Sequence, residues 1–229
     1  MFGQANRLFP GSAFVLAAVV VLGVSTSASA DSINIFGDTA NSTEGLADFS
    51  GMLTYEFVLG DMGLLTVDLT NTTVFAIFGD DPPKKDDGGY LTGFVFNANS
   101  ADAGITSVLA STTDPDFLDT RGDMAGPFGG PFLGGASLGG NFLDGGNPME
   151  GLGIGMSGTF TFEIMASDAE FLSAADFGLN GPFEFNFIVR FRGLGKGGEF
   201  SDMVPVPAPG ALALLGLGAL AQRRRRRSA

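Results

Sequence analysis

The chain has 229 residues, among them 23 Phe and 36 Gly but no Cys, His or Trp, and its formal net charge at pH 7 is −13. Without Cys and His it cannot build the usual zinc, haem or iron–sulfur sites, or a nucleophile activated by an imidazole. The absence of Cys also excludes disulfides, so apolar packing alone has to hold its core.

Residues 1–30 have the three parts of a secretory signal peptide. Arg7 supplies a positive start, an apolar run follows at 14–24, and small residues precede residue 31. The apolar run is too short to cross a hydrocarbon core of about 30 Å, which disfavours a membrane anchor. We predict that signal peptidase cuts after residue 30, at a site formed by Ala28, Ala30 and Asp31.

Residues 31–203 are long enough for one exported domain with a sizeable core. Apolar and polar residues alternate along 182–193 and again along 159–166, which predicts half-buried strands. Further short strands are predicted at 52–60, 64–73, 73–79, 90–99 and 105–112, separated by clusters of Gly, Asp and Pro.

The only helix that the sequence predicts is short, at 168–177, with Asp168 available as its N-cap. Seven or eight strands with so little helix predict an all-β fold. The expected architecture is an antiparallel β-sandwich, with a jelly-roll-like arrangement as one form of it.

Residues 126–158 contain 13 glycines and two related stretches, GGPFLGG and GGNFLDGG. Two interpretations are open: a flexible loop, or a segment that packs onto the domain or onto a neighbour. Ordering glycine costs more entropy than ordering any other residue, and this favours the loop. The packed alternative would use Phe132, Leu133, Phe142 and Leu143.

Charge is unevenly distributed along the chain. All 25 acidic residues lie within 31–202, whereas six of the 12 basic residues are Arg7 and the five arginines at 223–227. The exported part therefore has six basic residues against 25 acidic ones, a net charge of −19. Such a surface repels phosphates, so we expect no binding of nucleic acid.

Two acidic clusters are candidate ligands for Ca²⁺, which binds hard oxygen ligands. Their spacing is not that of an EF-hand loop, and this favours solvated acidic loops. We predict no cofactor, with calcium as the alternative. The clusters consist of Asp80, Asp81, Asp86 and Asp87, and of Asp114, Asp116, Asp119 and Asp123.

The C-terminal segment 204–229 combines prolines, an apolar run and a basic end. The uncharged run at 210–221 would reach only about 18 Å as a helix, well short of the bilayer core. The arginines resist translocation, since positive residues stay on the cytoplasmic side. We therefore expect a transient membrane insertion that holds the exported domain at the membrane surface.

Proline motif, short apolar helix and terminal arginines in this order resemble the PEP-CTERM sorting signal of bacterial surface proteins. The four residues 204–207 stand in place of Val-Pro-Glu-Pro, with Val206 at the glutamate position. The resemblance implies recognition and cutting by an exosortase-like membrane protease near 204–209, a Gram-negative-type envelope and an organism that makes exopolysaccharide. The implied signal residues are Val204, Pro205, Val206, Pro207, Arg223, Arg224, Arg225, Arg226 and Arg227.

The resemblance implies no single activity for the exported domain, because very different domains carry this tail. The sequence favours a non-catalytic protein of the cell surface or extracellular matrix that contacts polysaccharide or other components of the cell envelope. One alternative is a carbohydrate-active hydrolase, whose two carboxylates need neither His nor Cys. Sugar sites usually present aromatic platforms. The chain has no Trp and only two tyrosines, Tyr55 and Tyr90, which counts against this alternative. A homopolymeric filament subunit is the third alternative, and no residue is predicted to be catalytic.

Overall fold

The computed structural model describes residues 30–37, 39–74, 88–180, 184–195 and 198–207, and β-strands dominate them. The strands are β1 (Asp31–Gly37), β2 (Phe49–Leu59), β3 (Met62–Asn71), β4 (Gly88–Phe96), β5 (Thr106–Thr112), β6 (Phe117–Asp119), β7 (Gly134–Leu138), β8 (Ser157–Met165), β9 (Phe187–Leu194) and β10 (Phe200–Pro205). Helical structure is limited to α1 (Ala175–Gly178) and to 3₁₀ turns at Gly126–Phe128, Pro148–Glu150 and Ala169–Phe171 within the described residues.

The strands form two antiparallel sheets of five. Sheet I has the order β1-β2-β3-β8-β5, and sheet II has the order β10-β9-β4-β7-β6. The chain passes from one sheet to the other between β3 and β4, β4 and β5, β5 and β6, β7 and β8, and β8 and β9. The prediction of an all-β, antiparallel fold is confirmed.

One hydrophobic core lies between the two sheets, and aromatic rings fill its centre. The ring of Phe94 on β4 stacks on that of Phe187 on β9, with centroids 5.5 Å apart. It also meets the rings of Phe160 and Phe162 on β8 of the opposite sheet, edge to face, at 4.9 and 5.9 Å. Such pairs add stabilisation beyond that of the buried area, so these rings join sheet I to sheet II.

The predicted strands agree best with the observed ones where one face of the strand is buried and the other is exposed. The segment predicted at 159–166 is β8, whereas the one predicted at 182–193 begins only at Phe187. On β9 the side chains of Phe187, Ile188 and Val189 are all buried, so this stretch is covered on both faces. Of the strand predicted at 73–79, Thr73 and Val74 lie beyond the end of β3 and the rest lies outside the described residues.

The helix predicted at 168–177 is wrong in extent. The structure has a 3₁₀ turn and the four-residue helix α1 there, and Asp168 does not cap either of them. Its carboxylate instead accepts hydrogen bonds from the hydroxyl of Ser100 at 2.6 Å and the backbone N–H of Ala101 at 2.7 Å. The Asp168 side chain therefore binds residues that are distant in the chain, whereas the sequence predicted that it caps a helix beside it.

The glycine-rich segment 126–158 is ordered, and the favoured interpretation as a flexible loop was wrong. It contains β7, and it covers the outer face of sheet II, where Phe132 and Phe142 are buried together with Val95 and Ile188. Burial of two phenylalanine rings contributes to offsetting the entropy cost of ordering the glycines.

Two arginines of β9 hold the glycine-rich segment in place. The Arg190 guanidinium donates to the carbonyl of Phe142 at 2.5 Å, and that of Arg192 donates to the carbonyls of Gly145 and Gly146. Burial and the neighbouring charge of Arg192 lower the pKa of Arg190 to about 10. A side chain at Gly145 would place its Cβ 1.6 Å from the carbonyl oxygen of Leu138, so only glycine fits this close approach.

Tyr55 of β2 fastens the 3₁₀ turn Ala169–Phe171 to the core. Its buried hydroxyl donates to the carbonyl of Ala169 at 2.8 Å, and its ring packs on Phe177 of α1 with centroids 5.2 Å apart. Burial, and to a lesser degree the negative charge of Asp168, raises the pKa of Tyr55 to about 12. The folded state therefore favours the neutral phenol.

We predict that Phe187→Ala destabilises the protein by about 3 to 5 kcal/mol, because it removes a fully buried ring from the junction of the two sheets. Chemical denaturation monitored by circular dichroism measures the loss. Phe171→Ala is the matched control, since the Phe171 side chain is 77% exposed and its removal should change stability little. An unchanged unfolding midpoint for Phe187→Ala would contradict this description of the core.

Stability should also fall at alkaline pH through Tyr55. Because the pKa is raised in the folded state, this contribution is fully present below pH 10, the ordinary value, and is lost as the pH rises towards 12. The loss is on the order of 2 to 3 kcal/mol at about 1.4 kcal/mol per pH unit. Unfolding free energies of wild type, Tyr55→Phe and the control Tyr90→Phe across pH 9–12 test it. An equal slope for wild type and Tyr55→Phe would refute the assignment.

Candidate functional site

The outer face of sheet I is lined with hydroxyl groups. Residues that alternate with the buried core positions of β2, β3 and β8 point to this face, and neighbouring strands pair them in register. Cross-strand hydrogen bonds join Ser32 to Thr54 at 2.9 Å and Thr70 to Ser157 at 2.7 Å. The hydroxyl-bearing residues of the face are Ser32, Ser50, Thr54, Thr66, Thr70, Ser157, Thr159 and Thr161.

An open groove with a volume of about 420 Å³ lies on this face, across β1, β2 and β3. The strand register places two rows of side chains beside each other there. One row is Asn34, Met52 and Asp68, and the other is Phe36, Ser50 and Thr70. Neighbouring strands are about 4.8 Å apart, so each row spans roughly 10 Å.

The groove combines apolar surface with polar groups. Phe36 is 47% exposed and Met52 is 39% exposed. The Asp68 carboxylate accepts a hydrogen bond from the hydroxyl of Thr159 at 2.5 Å, which fixes its orientation at the wall of the groove. An amide, two hydroxyls and a carboxylate thus surround two exposed apolar side chains.

Sheet I has no positive charge. Its five strands contain no Lys or Arg, whereas Asp31, Glu56, Asp68 and Glu163 lie on them. The described arginines lie elsewhere: Arg121 pairs with Asp119 at 2.7 Å, and the other two hold the glycine-rich segment. The potential over the groove is therefore negative.

A pair of catalytic carboxylates is not found in the groove. Asp68 is the only acidic residue among the lining residues that the structure describes. Glycoside hydrolysis by two carboxylates requires a second acid about 5 to 10 Å away on the other side of the scissile bond.

Three carboxylates of the acidic cluster at 114–123 accept hydrogen bonds from groups of the same chain. Asp114 accepts from the N–H of Asp116, Asp119 accepts from the N–H of Leu109, and Asp123 accepts from Thr120 and Phe142. No group of three or more acidic residues that could hold a metal ion occurs in the described parts of the chain. The other candidate cluster, Asp80, Asp81, Asp86 and Asp87, lies outside those parts.

The predicted signal residues are only partly described. Asp31 begins β1, and its carboxylate accepts a hydrogen bond from the N–H of Ala174 at 3.1 Å. Ala30 directly precedes that strand, while Ala28 and the arginines 223–227 lie outside the described residues. No helix in the described ranges is both long and apolar enough to cross a membrane.

The Val-Pro motif is part of the folded structure. Val204 and Pro205 belong to β10, Val206 and Pro207 follow it, and all four are buried. The domain boundary predicted between residues 203 and 204 thus falls inside a strand.

Sequence reasoning missed the groove because it missed β1. The stretch DSINIFG alternates apolar and polar residues, and this signal could have predicted the strand. The groove, however, also requires that β1 pairs with β2 and that β2 pairs with β3, and only the structure shows this pairing.

The fold and the groove define an all-β protein of two antiparallel sheets with one exposed polar face. No protein-family model, curated protein or solved structure matches the chain. Its function has to be argued from its own residues.

Proposed function

We propose that this protein is an exported, non-catalytic component of the cell surface or extracellular matrix that binds exopolysaccharide through the groove of sheet I. The observation that supports the proposal is the exposure of Phe36 and Met52 among the polar groups of Asn34 and Asp68. Sugar rings have apolar faces and polar edges, so they suit a surface with exposed apolar side chains and a few oriented hydrogen-bonding groups.

The proposed architecture is a β-sandwich. Support comes from the single core shared by the two sheets and from the repeated passage of the chain between them. Crossings of this kind are a feature of jelly rolls, and we propose a jelly-roll-like arrangement on that ground.

The charge of sheet I narrows the class of polysaccharide. An anionic polymer rich in uronic acids would be repelled by an outer face that has three acidic residues, Glu56, Asp68 and Glu163, and no basic ones. A neutral or amino-bearing polymer meets no such barrier. We propose that the ligand belongs to this second group.

Export and processing complete the proposal. The signal peptide at 1–30 would direct the chain across the inner membrane, and the tail at 204–229 would hold it there until an exosortase-like protease cuts it. The tail resembles a sorting signal in motif, apolar run and arginine cluster. Release would bring the groove to the polysaccharide outside the cell.

We predict that Phe36→Ala weakens polysaccharide binding by about fivefold or more, because a ring that stacks on a sugar contributes about 1 kcal/mol or more. The full chain is assayed by affinity electrophoresis against a neutral β-glucan, chitosan oligomers and alginate. Phe171→Ala, which removes an exposed ring outside the groove, is the matched control.

Two results of that assay would count against the proposal. Equal binding by wild type and Phe36→Ala would exclude the groove, and tighter binding to alginate than to the other polymers would contradict the charge argument.

A tag placed after Ala229 tests the sorting role. Surface protein should react with an antibody against the domain but not with one against the tag, because the tail has been removed. Replacing Arg223–Arg227 by Gln should let uncut precursor pass the membrane, since the positive charges no longer resist translocation. Wild-type surface protein that still carries the tag would show that the tail is an ordinary anchor.

A further inference from the structure

The last strand of the fold contains the motif that the sequence assigns to the tail. β10 lies at the edge of sheet II, where Val204 pairs with Val189 and Pro205 with Ile188 of β9. The N–H of Val206 continues the pairing beyond the strand by donating to the carbonyl of Phe187 at 2.9 Å. The side chain of Val204 is fully buried and that of Val206 is 3% exposed, so both contribute to the core.

A short loop lies along the other edge of β10. The buried carboxylate of Asp202 accepts four hydrogen bonds from this loop, at 2.8 to 3.1 Å. Their donors are the hydroxyl of Thr43 and the backbone N–H groups of Glu44, Leu46 and Ala47. We call Asp202 with residues 43–47 the C-terminal clasp.

The backbone of the clasp binds β10 as well. The N–H of Thr43 donates to the carbonyl of Met203 at 3.1 Å, and the N–H of Met203 donates to the hydroxyl of Thr43 at 3.1 Å. β10 is thus held by β9 along one edge and by the clasp along the other. An edge strand would otherwise offer free backbone groups to another chain.

The side chain of Val204 packs closely against sheet I. A Cβ built at Gly37 of β1 would lie 2.5 Å from Cγ1 of Val204 and 2.5 Å from Cε1 of Phe49. Val204 therefore packs directly on the ends of β1 and β2 in the opposite sheet. Removing it from the core requires the strand to separate from β9 and from the clasp together.

Endoproteases bind the chain in an extended form through its backbone groups, and here Val204 and Val206 are paired with β9 while both backbone groups of Met203 are bound by Thr43. A bond inside a docked strand is cut only after local unfolding. We infer that residues 204–207 belong to the folded domain, and that the cut which releases this domain lies after Pro207. The inference rests on the proposed sorting role only for the identity of the protease.

The test uses the full chain, purified with its own tail and digested with small amounts of subtilisin. Intact-mass analysis should show a persistent fragment that ends at or after Pro207, because β10 stays docked. A fragment that ends between Asp202 and Val206 and forms as fast as the first cut in the tail would overturn the inference.

Variants of the clasp sharpen the test. Asp202→Ala removes the acceptor of all four hydrogen bonds, and cutting within 204–207 should accelerate by about tenfold or more, since opening limits the rate. Asp116→Ala, an exposed aspartate far along the chain, is the control and should cut like wild type. Thr43→Val, which removes two contacts of the clasp, serves if Asp202→Ala does not fold.

The C-terminus of protein released from cells provides an independent test. Its C-terminal peptide should end at or after Pro207, and an end at Val206 or earlier would contradict the inference. Retention of a tag after Ala229 would instead contradict the sorting role, while the digestion of the purified chain would still decide whether 204–207 belong to the fold.

Discussion

The contact between Phe94 and the rings of Phe160, Phe162 and Phe187 joins the two sheets, and the rest of the structure depends on it. A chain without cysteine has no covalent link between its sheets. Packing of large rings is then the main source of cohesion, and close packing leaves little space for further side chains beside them.

Glycine leaves space for large rings inside the strands. A Cβ at Gly63 would lie 2.1 Å from the hydroxyl oxygen of Tyr55, and one at Gly134 would lie 2.9 Å from the Phe96 ring. Glycine normally weakens a strand because it has no side chain to pack. Here the cost is offset by the ring that fills the space, which gives a physical reason for a composition rich in both Phe and Gly.

The outer faces of the two sheets differ in what covers them. The glycine-rich segment covers sheet II and is fixed by the guanidinium groups of Arg190 and Arg192. Sheet I stays exposed, with hydroxyl groups, acidic residues and the groove. Two of the three described arginines hold the cover of sheet II and the third pairs with Asp119, and this leaves the face of sheet I negative and available for the neutral or amino-bearing ligand that we propose.

An element can be predicted from the sequence when it is determined by residues close together in the chain, and not when it depends on contacts between distant residues. Period-two alternation in 159–166 located β8 to within two residues at its start, because burial of one face is a local pattern. The order of the glycine-rich segment depends on rings from Phe132 and Phe142 meeting Val95 and Ile188, which are far apart in the chain. The groove likewise requires the register of three strands, and the burial of 204–207 requires the clasp around Asp202.

Amide hydrogen exchange, measured residue by residue by NMR, tests most directly the claim that the glycine-rich cover and the C-terminal strand are as firmly packed as the sheets on which they lie. The account predicts that the N–H groups of Val206 and Phe142, which donate to Phe187 and Asp123, exchange about as slowly as the ladder amides of β9. Fast exchange of either amide, at the rate of exposed turns, would contradict it.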